Sequence, residues 1–261
     1  MRRQQYNFLI AFVLLCIGLL SANVYAADAK PAEQRLDTAP EEWEFVLEVY
    51  GWAATIDGTT ATGTDFEIDF DTIVENLDFT LMSVLGARKD KLAFLVDVLY
   101  MDLEDSDNTN LGELLQLSDI ELKAWVVDPF VSYRVIDGER FKMALLAGAR
   151  YLWIEVDLEL KDRPPLPPAK SSDSGDGDVW DAVVGIRGQF DLSDRWFMLY
   201  HLDIGTGDSD VTWQTTAGVG YRFDKFEIAA AYRYMKWEFD DDSVLDDLEI
   251  KGPLVGARFV F

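Results

Sequence analysis

The stretch KGPLVGARFVF, residues 251–261, decides the fold. Read at period two, it carries Pro253, Val255, Ala257, Phe259 and Phe261 on one face and Gly252, Leu254, Gly256 and Arg258 on the other. Side chains alternate across a β-strand, so one face is apolar and aromatic while the other is small and cationic. The first face suits lipid and the second suits a narrow polar interior.

The same alternation recurs upstream. Residues 43–57 place Phe45, Leu47 and Val49 opposite Glu44, Glu48 and Tyr50. Residues 77–88 and 92–103 flank the short Lys89-Asp90-Lys91, and 118–135 and 141–160 flank Ile136-Asp137-Gly138-Glu139. Further runs at 179–192 and 195–205 meet at Ser193-Asp194, and those at 211–223 and 226–239 meet at Asp224-Lys225. Turn residues between alternating runs predict hairpins. With the closing stretch this makes ten runs, each at or above the roughly 9 to 11 residues that a tilted membrane strand needs.

The connections opposite those turns are longer and polar: 58–76, 104–117, 161–178 and 240–249, with a brief exception at 206–210. Long loops on one side and tight turns on the other mark a transmembrane barrel, and even strand numbers return both ends to the same side. The expected fold is all-β, a transmembrane antiparallel up-and-down β-barrel of ten strands, with eight or twelve as alternatives. Phe70, Ile73, Val74 and Leu77 have helical spacing and predict a short turn packed on the barrel. A soluble barrel would turn its apolar faces inward. Trp180, Phe190, Trp196, Trp213, Tyr221 and Phe223 would overfill so small an interior, and several fall near strand ends, where aromatic girdles sit.

Residues 1–26 read as a secretory signal, because Arg2 and Arg3 precede an apolar run that ends in the small-residue site Val24-Tyr25-Ala26. Residues 27–42, with Pro31 and Pro40, read as a periplasmic linker, and 43–261 as the barrel. The one cysteine, Cys16, lies inside the signal, which removes thiolate metal sites and cysteine nucleophiles from the remaining chain. Without Arg2 and Arg3 the basic count falls from 23 to 21 against 48 acidic residues, a balance of −27. That charge excludes nucleic acid as a partner. A hydrophobic content of 49% is too high for an acidic disordered chain, so a large apolar surface must be covered.

Trp180-Asp181, Gly185-Ile186-Arg187, Asp203-Ile204-Gly205, Gly218-Val219-Gly220-Tyr221-Arg222-Phe223, Tyr232-Arg233-Tyr234 and Gly252-Pro253 with Gly256 form a recurring grammar over most of the chain. In this, and in its terminal aromatic strand, the sequence resembles small, largely uncharacterised outer-membrane β-barrel proteins of Gram-negative bacteria. Gly205-Thr206-Gly207 departs from the paired glycines expected after Asp203-Ile204. The resemblance implies residence in the bacterial outer membrane after export by the signal peptide. It also implies contact with membrane lipid and lipopolysaccharide, and recognition of Phe259 and Phe261 by the barrel-assembly machinery.

With the apolar faces outward, Glu48, Asp97, Arg150, Asp181, Arg187, His201, Asp203, Arg222, Arg233 and Arg258 point into the lumen, as do Glu44, Glu121 and Lys123. Arginines facing carboxylates in a narrow bore predict an ion-paired core; a charge-lined conduit for small solutes is the sharper reading. The expected role is a structural or surface-interacting integral membrane protein, without cofactor or bound metal, that is not an enzyme. The alternative is a lipid- or peptide-directed barrel hydrolase. His201, the one histidine, shares a face with Asp203, and an imidazole beside a carboxylate can act as a general base. Acidic segments at 173–178 and 240–247 suggest weak divalent-cation binding in loops, although they lack the spacing of a calcium-binding helix-loop-helix.

Overall fold

The computed structural model describes residues 42–60, 63, 65–105, 117–160, 172–240 and 245–261. The predicted signal segment and nearly all of the predicted linker lie outside the described residues, as do parts of the four long connections. In chain order the elements are β1 (Glu44–Trp52), β2 (Thr55–Thr60), β3 (Asp65–Ile68), α1 (Phe70–Asn76), β4 (Leu77–Lys89), β5 (Leu92–Asp105) and β6 (Leu117–Asp137). They continue with β7 (Phe141–Leu160), β8 (Ser172–Asp191), β9 (Trp196–Gly207), β10 (Val211–Arg222), β11 (Phe226–Glu238) and β12 (Leu245–Val260).

Strands β4 to β12 pair antiparallel with their sequence neighbours, and β1 closes the ring between β12 and β4. The seam runs from Val46↔Val260 to Trp52↔Leu254 on one side and from Glu44↔Arg88 to Val49↔Ser83 on the other. Ten strands form the closed wall, with β2 and β3 added to it. Backbone bonds Phe45 N to Phe261 O (3.1 Å) and Phe261 N to Phe45 O (3.0 Å) finish the seam at its last residue. Closure satisfies the backbone groups that an open edge would strand in hydrocarbon.

The first predicted run, 43–57, is not one continuous strand. It breaks at Ala53-Ala54, after which β2 continues along β12 in the register Lys251↔Thr55 to Leu245↔Thr60. The cause lies in β12, where Pro253 has no N–H to donate and Gly252 lets the backbone of Ala53 come close. A Cβ on Gly252 would stand 2.0 Å from the Ala53 carbonyl oxygen, and Ala53 N instead donates to Pro253 O at 2.9 Å.

Two further expectations are corrected. The segment 172–178, expected in a loop, extends β8 and pairs with 153–159 of β7, because strand pairing satisfies its backbone groups beyond the expected boundary. Likewise 245–250, expected in an acidic loop, begins β12 between β11 and β2. Helix α1 forms where its spacing predicts, but it does not lie on the outer wall. Asp69 caps it by accepting from Thr72 N at 2.8 Å, and Ile73 is buried inside the barrel mouth.

The outer surface is apolar: Leu85, Leu145, Val184, Ile204, Val219 and Val255 are exposed. Rings gather in two bands. At the tight-turn end Trp196, Tyr221, Phe223, Phe226 and Phe259 make successive contacts of 4.7 to 5.9 Å between ring centres. At the other end lie Tyr100 with Trp125, Tyr151 with Trp180, and Trp213 with Tyr234. Trp213 and Tyr221 share the outward face of β10. Eight residues at about 3.4 Å each, tilted by about 40°, separate them by roughly 20 Å along the axis. That matches the apolar band of a membrane barrel.

Candidate functional site

The lumen is stratified because the inward-facing residues of each strand change character along its length. Toward the long-loop end Trp52, Ile56, Met101, Leu152, Trp237 and Leu248 form a dry apolar plug into which α1 inserts Ile73. Trp237 is 0% exposed, surrounded by side chains. The sequence reading expected a polar, ion-paired lumen and no apolar layer across it. The plug corrects it, since β5, β11 and β12 each turn apolar on their inner face above the charged residues.

Beneath the plug sits Arg150 of β7, 1% exposed. Its Nε and Nη2 donate to Asp128 at 3.1 to 3.2 Å, its Nη2 also reaches Asp203 at 3.0 Å and Gln214 at 3.0 Å, and its Nη1 donates to Thr212 at 3.1 Å. Beside it, Tyr50 donates to Asp97 (2.7 Å), and Arg233 donates to Tyr50 (3.1 Å) and to the other Asp97 oxygen (2.9 Å). Charge-assisted bonds of this kind hold an arginine only when they replace its water.

A second ionic layer lies near the tight turns. Arg222 donates to Glu227 (3.1 Å) and Asp191 (2.6 Å), while Arg258 donates to Glu48 (2.7 Å) and Glu227 (3.2 Å). Arg88 pairs with Glu44 at 2.8 Å and Lys142 with Asp191 at 3.4 Å.

Between the two layers is a cavity of about 260 Å³. Asp90 and Lys91 of the β4–β5 turn belong to its lining, so it opens toward the tight-turn end. Asp90 holds φ at 52°, a left-handed conformation that aspartate tolerates and a tight turn needs.

The ten ionic residues singled out from the sequence all lie on the inner face, but two of them form no ion pair with a described residue. Asp181 stands opposite Arg150 in the β7–β8 register, yet the guanidinium turns to Asp128 and Asp203, and Asp181 accepts from Ser209 N at 3.0 Å. Arg187, expected to face a carboxylate, instead lies over the Phe130 ring at 5.4 Å. His201 Nε2 and Asp203 Oδ2 do approach to 2.6 Å. Asp203 is shared with Arg150, an arrangement that orients the ring within the core. Sequence reasoning missed Asp128, Glu227, Asp191 and Gln214. Asp128 had a usable signal, a lone carboxylate in an apolar run before Pro129.

Among the described residues no helix is long and apolar enough to cross a membrane, and no three metal-binding side chains converge. A closed antiparallel wall with lipid-type side chains outside and ion pairs within defines a transmembrane β-barrel. Solved structures similar to this chain are barrels of varied roles. The outer membrane protease OmpT from Escherichia coli shares 8% identity at a TM-score of 0.41, over 88% of this chain and 100% of its own. The attachment invasion protein Ail of Yersinia pestis shares 14% at 0.38, over 85% and 99%. The translocator domain of autotransporter NalP from Neisseria meningitidis shares 8% at 0.48, over 99% and 97%. No family model and no curated protein matches the sequence. None of these neighbours lends its activity to this chain.

Proposed function

We propose that the protein is an integral bacterial outer-membrane barrel whose lumen is a closed, ion-paired core, and that it serves a structural or surface-interaction role rather than passing solutes. The observation that carries this is the continuous seal formed by the apolar plug and the Arg150 cluster, with Trp237 at 0% and Arg150 at 1% exposure. An open pore needs water along its axis, and on this reading buried side chains at both levels take the place of that water. The outer-membrane location is supported by the two aromatic bands, the apolar wall between them and the signal-like opening of the sequence. On this reading the contacts are membrane lipid and lipopolysaccharide outside, and the assembly machinery at Phe259 and Phe261 during insertion.

Refolded protein in a planar lipid bilayer tests the closed lumen. We expect no discrete current steps at moderate voltage. Stable openings of uniform size would overturn it.

A further inference from the structure

We propose that the cavity between the ionic layers is a binding site for a small organic carboxylate, entering from the tight-turn end and anchored by Arg187. Apart from Asp90 of the turn, the carboxylates on the cavity wall are each engaged: Asp97 by Tyr50 and Arg233, Asp128 by Arg150, Asp203 by Arg150 and His201, and Glu48 and Glu227 by Arg258. Arg187 is the exception among the lumenal arginines. It makes no hydrogen bond or ion pair with any described residue; it rests on the Phe130 ring, and Glu48 and Asp97 act on it only at longer range.

An interior guanidinium whose hydrogen bonds are unfilled is costly, and its planar fork fits a carboxylate in two parallel bonds. His201 is the direct cross-strand neighbour of Arg187, and its ring meets the edge of Phe130 at 5.8 Å. His201 also lines the cavity, with Nε2 committed to Asp203. The rest of the surrounding wall is largely apolar, including Val84, Leu146, Val183 and Leu199. A guanidinium fork open to the cavity beside this apolar stretch suits a monoanion with an apolar body over a phosphate dianion, which gains nothing from apolar contact.

The site rests on the closed-lumen reading only for its direction of entry, and the two can fail separately. Calorimetric titration of the refolded barrel in zwitterionic detergent uses sodium benzoate, neutral benzamide and inorganic phosphate at constant ionic strength. Benzoate should bind saturably at one site, and benzamide and phosphate should not. Arg187→Gln should weaken benzoate by about tenfold or more, and Arg187→Lys by less, while Arg195→Gln on the outer turn changes nothing. Both Arg187 variants should keep the heat-modified gel mobility of the parent, because Arg187 supports no partner. Equal binding of benzoate and benzamide, phosphate binding without benzoate, undiminished binding by Arg187→Gln, no saturable binding, or failure of both variants to refold would each overturn the site. A barrel that conducts yet binds benzoate through Arg187 would overturn the closed lumen and leave this site standing.

Discussion

Replacing Arg150 with Met removes the cation at the centre of the seal while roughly keeping its volume. Two carboxylates then face each other without it: Asp203, whose side chain is 2% exposed, and Asp128, at 10%. At an effective dielectric of about 20, a unit pair at 3 Å attracts by about 5 kcal/mol, most of which offsets the desolvation of the charges. Breaking such a pair from one side therefore costs about 3 to 5 kcal/mol, because the abandoned charge stays buried. Two abandoned carboxylates place Arg150→Met at the upper end. Adding Asp128→Asn and Asp203→Asn removes the stranded charge, so the triple variant should recover most of the loss. Urea unfolding in detergent, followed by heat-modified gel mobility, measures both. A single-variant loss under about 1 kcal/mol, or a triple variant no better than the single, would refute the argument, since it would mean that water already reaches these groups.

Other outcomes follow from the same geometry. Val219→Arg puts a charge on the lipid face near mid-membrane and should cost about 2 to 4 kcal/mol in refolding titrations. On the other face, a Cβ at Gly220 would meet the Phe197 ring at 2.2 Å, so Gly220→Val should cost about 1 to 3 kcal/mol; tolerance of both would mean that the faces are exchanged. A membrane-impermeant maleimide should label Asp246→Cys on intact cells and reach Asp224→Cys only after the membrane is opened; the reverse would invert the topology. Asp69→Ala should lower hydrogen-exchange protection of α1 by about 1 kcal/mol. The bonds from Thr72 hold the Asp69 carboxyl below its ordinary range, so its capping contribution is present above the unfolded value and lost as pH falls through the lower folded value. Protection of α1 that is unchanged in acid would count against the cap.

Period two made the wall legible, since Val255 and Phe261 against Leu254 and Arg258 already define its two faces. It could not reveal the plug. Around Leu248 and Ile250 the polarity is inverted, with Asp247, Glu249 and Lys251 outward and the apolar residues inward, so a rule that sends apolar faces to lipid assigns them to the wrong side. The pairing of charges was equally hidden, because it depends on register and on side-chain reach across the bore. Asp181 sits beside Arg150 in the sheet, yet the long guanidinium reaches past it to Asp128, Asp203 and Gln214. The break at Ala53-Ala54 was written in Gly252-Pro253, on the partner strand rather than where it occurs.

That break leaves β12 flanked by β11 on one side and by β1 and then β2 on the other, so the final strand joins both ends of the wall. The β4–β5, β8–β9 and β10–β11 hairpins are local, but the Arg258–Glu48 contact spans 210 positions. Closure of long loops costs more entropy and comes later than local pairing. Until residues 251–261 arrive, the molecule is a curved sheet with two bare margins, and each unpaired backbone group in hydrocarbon costs several kcal/mol. Pairing of residues 251–261 with β11 on one side and β1 on the other removes both margins in one step.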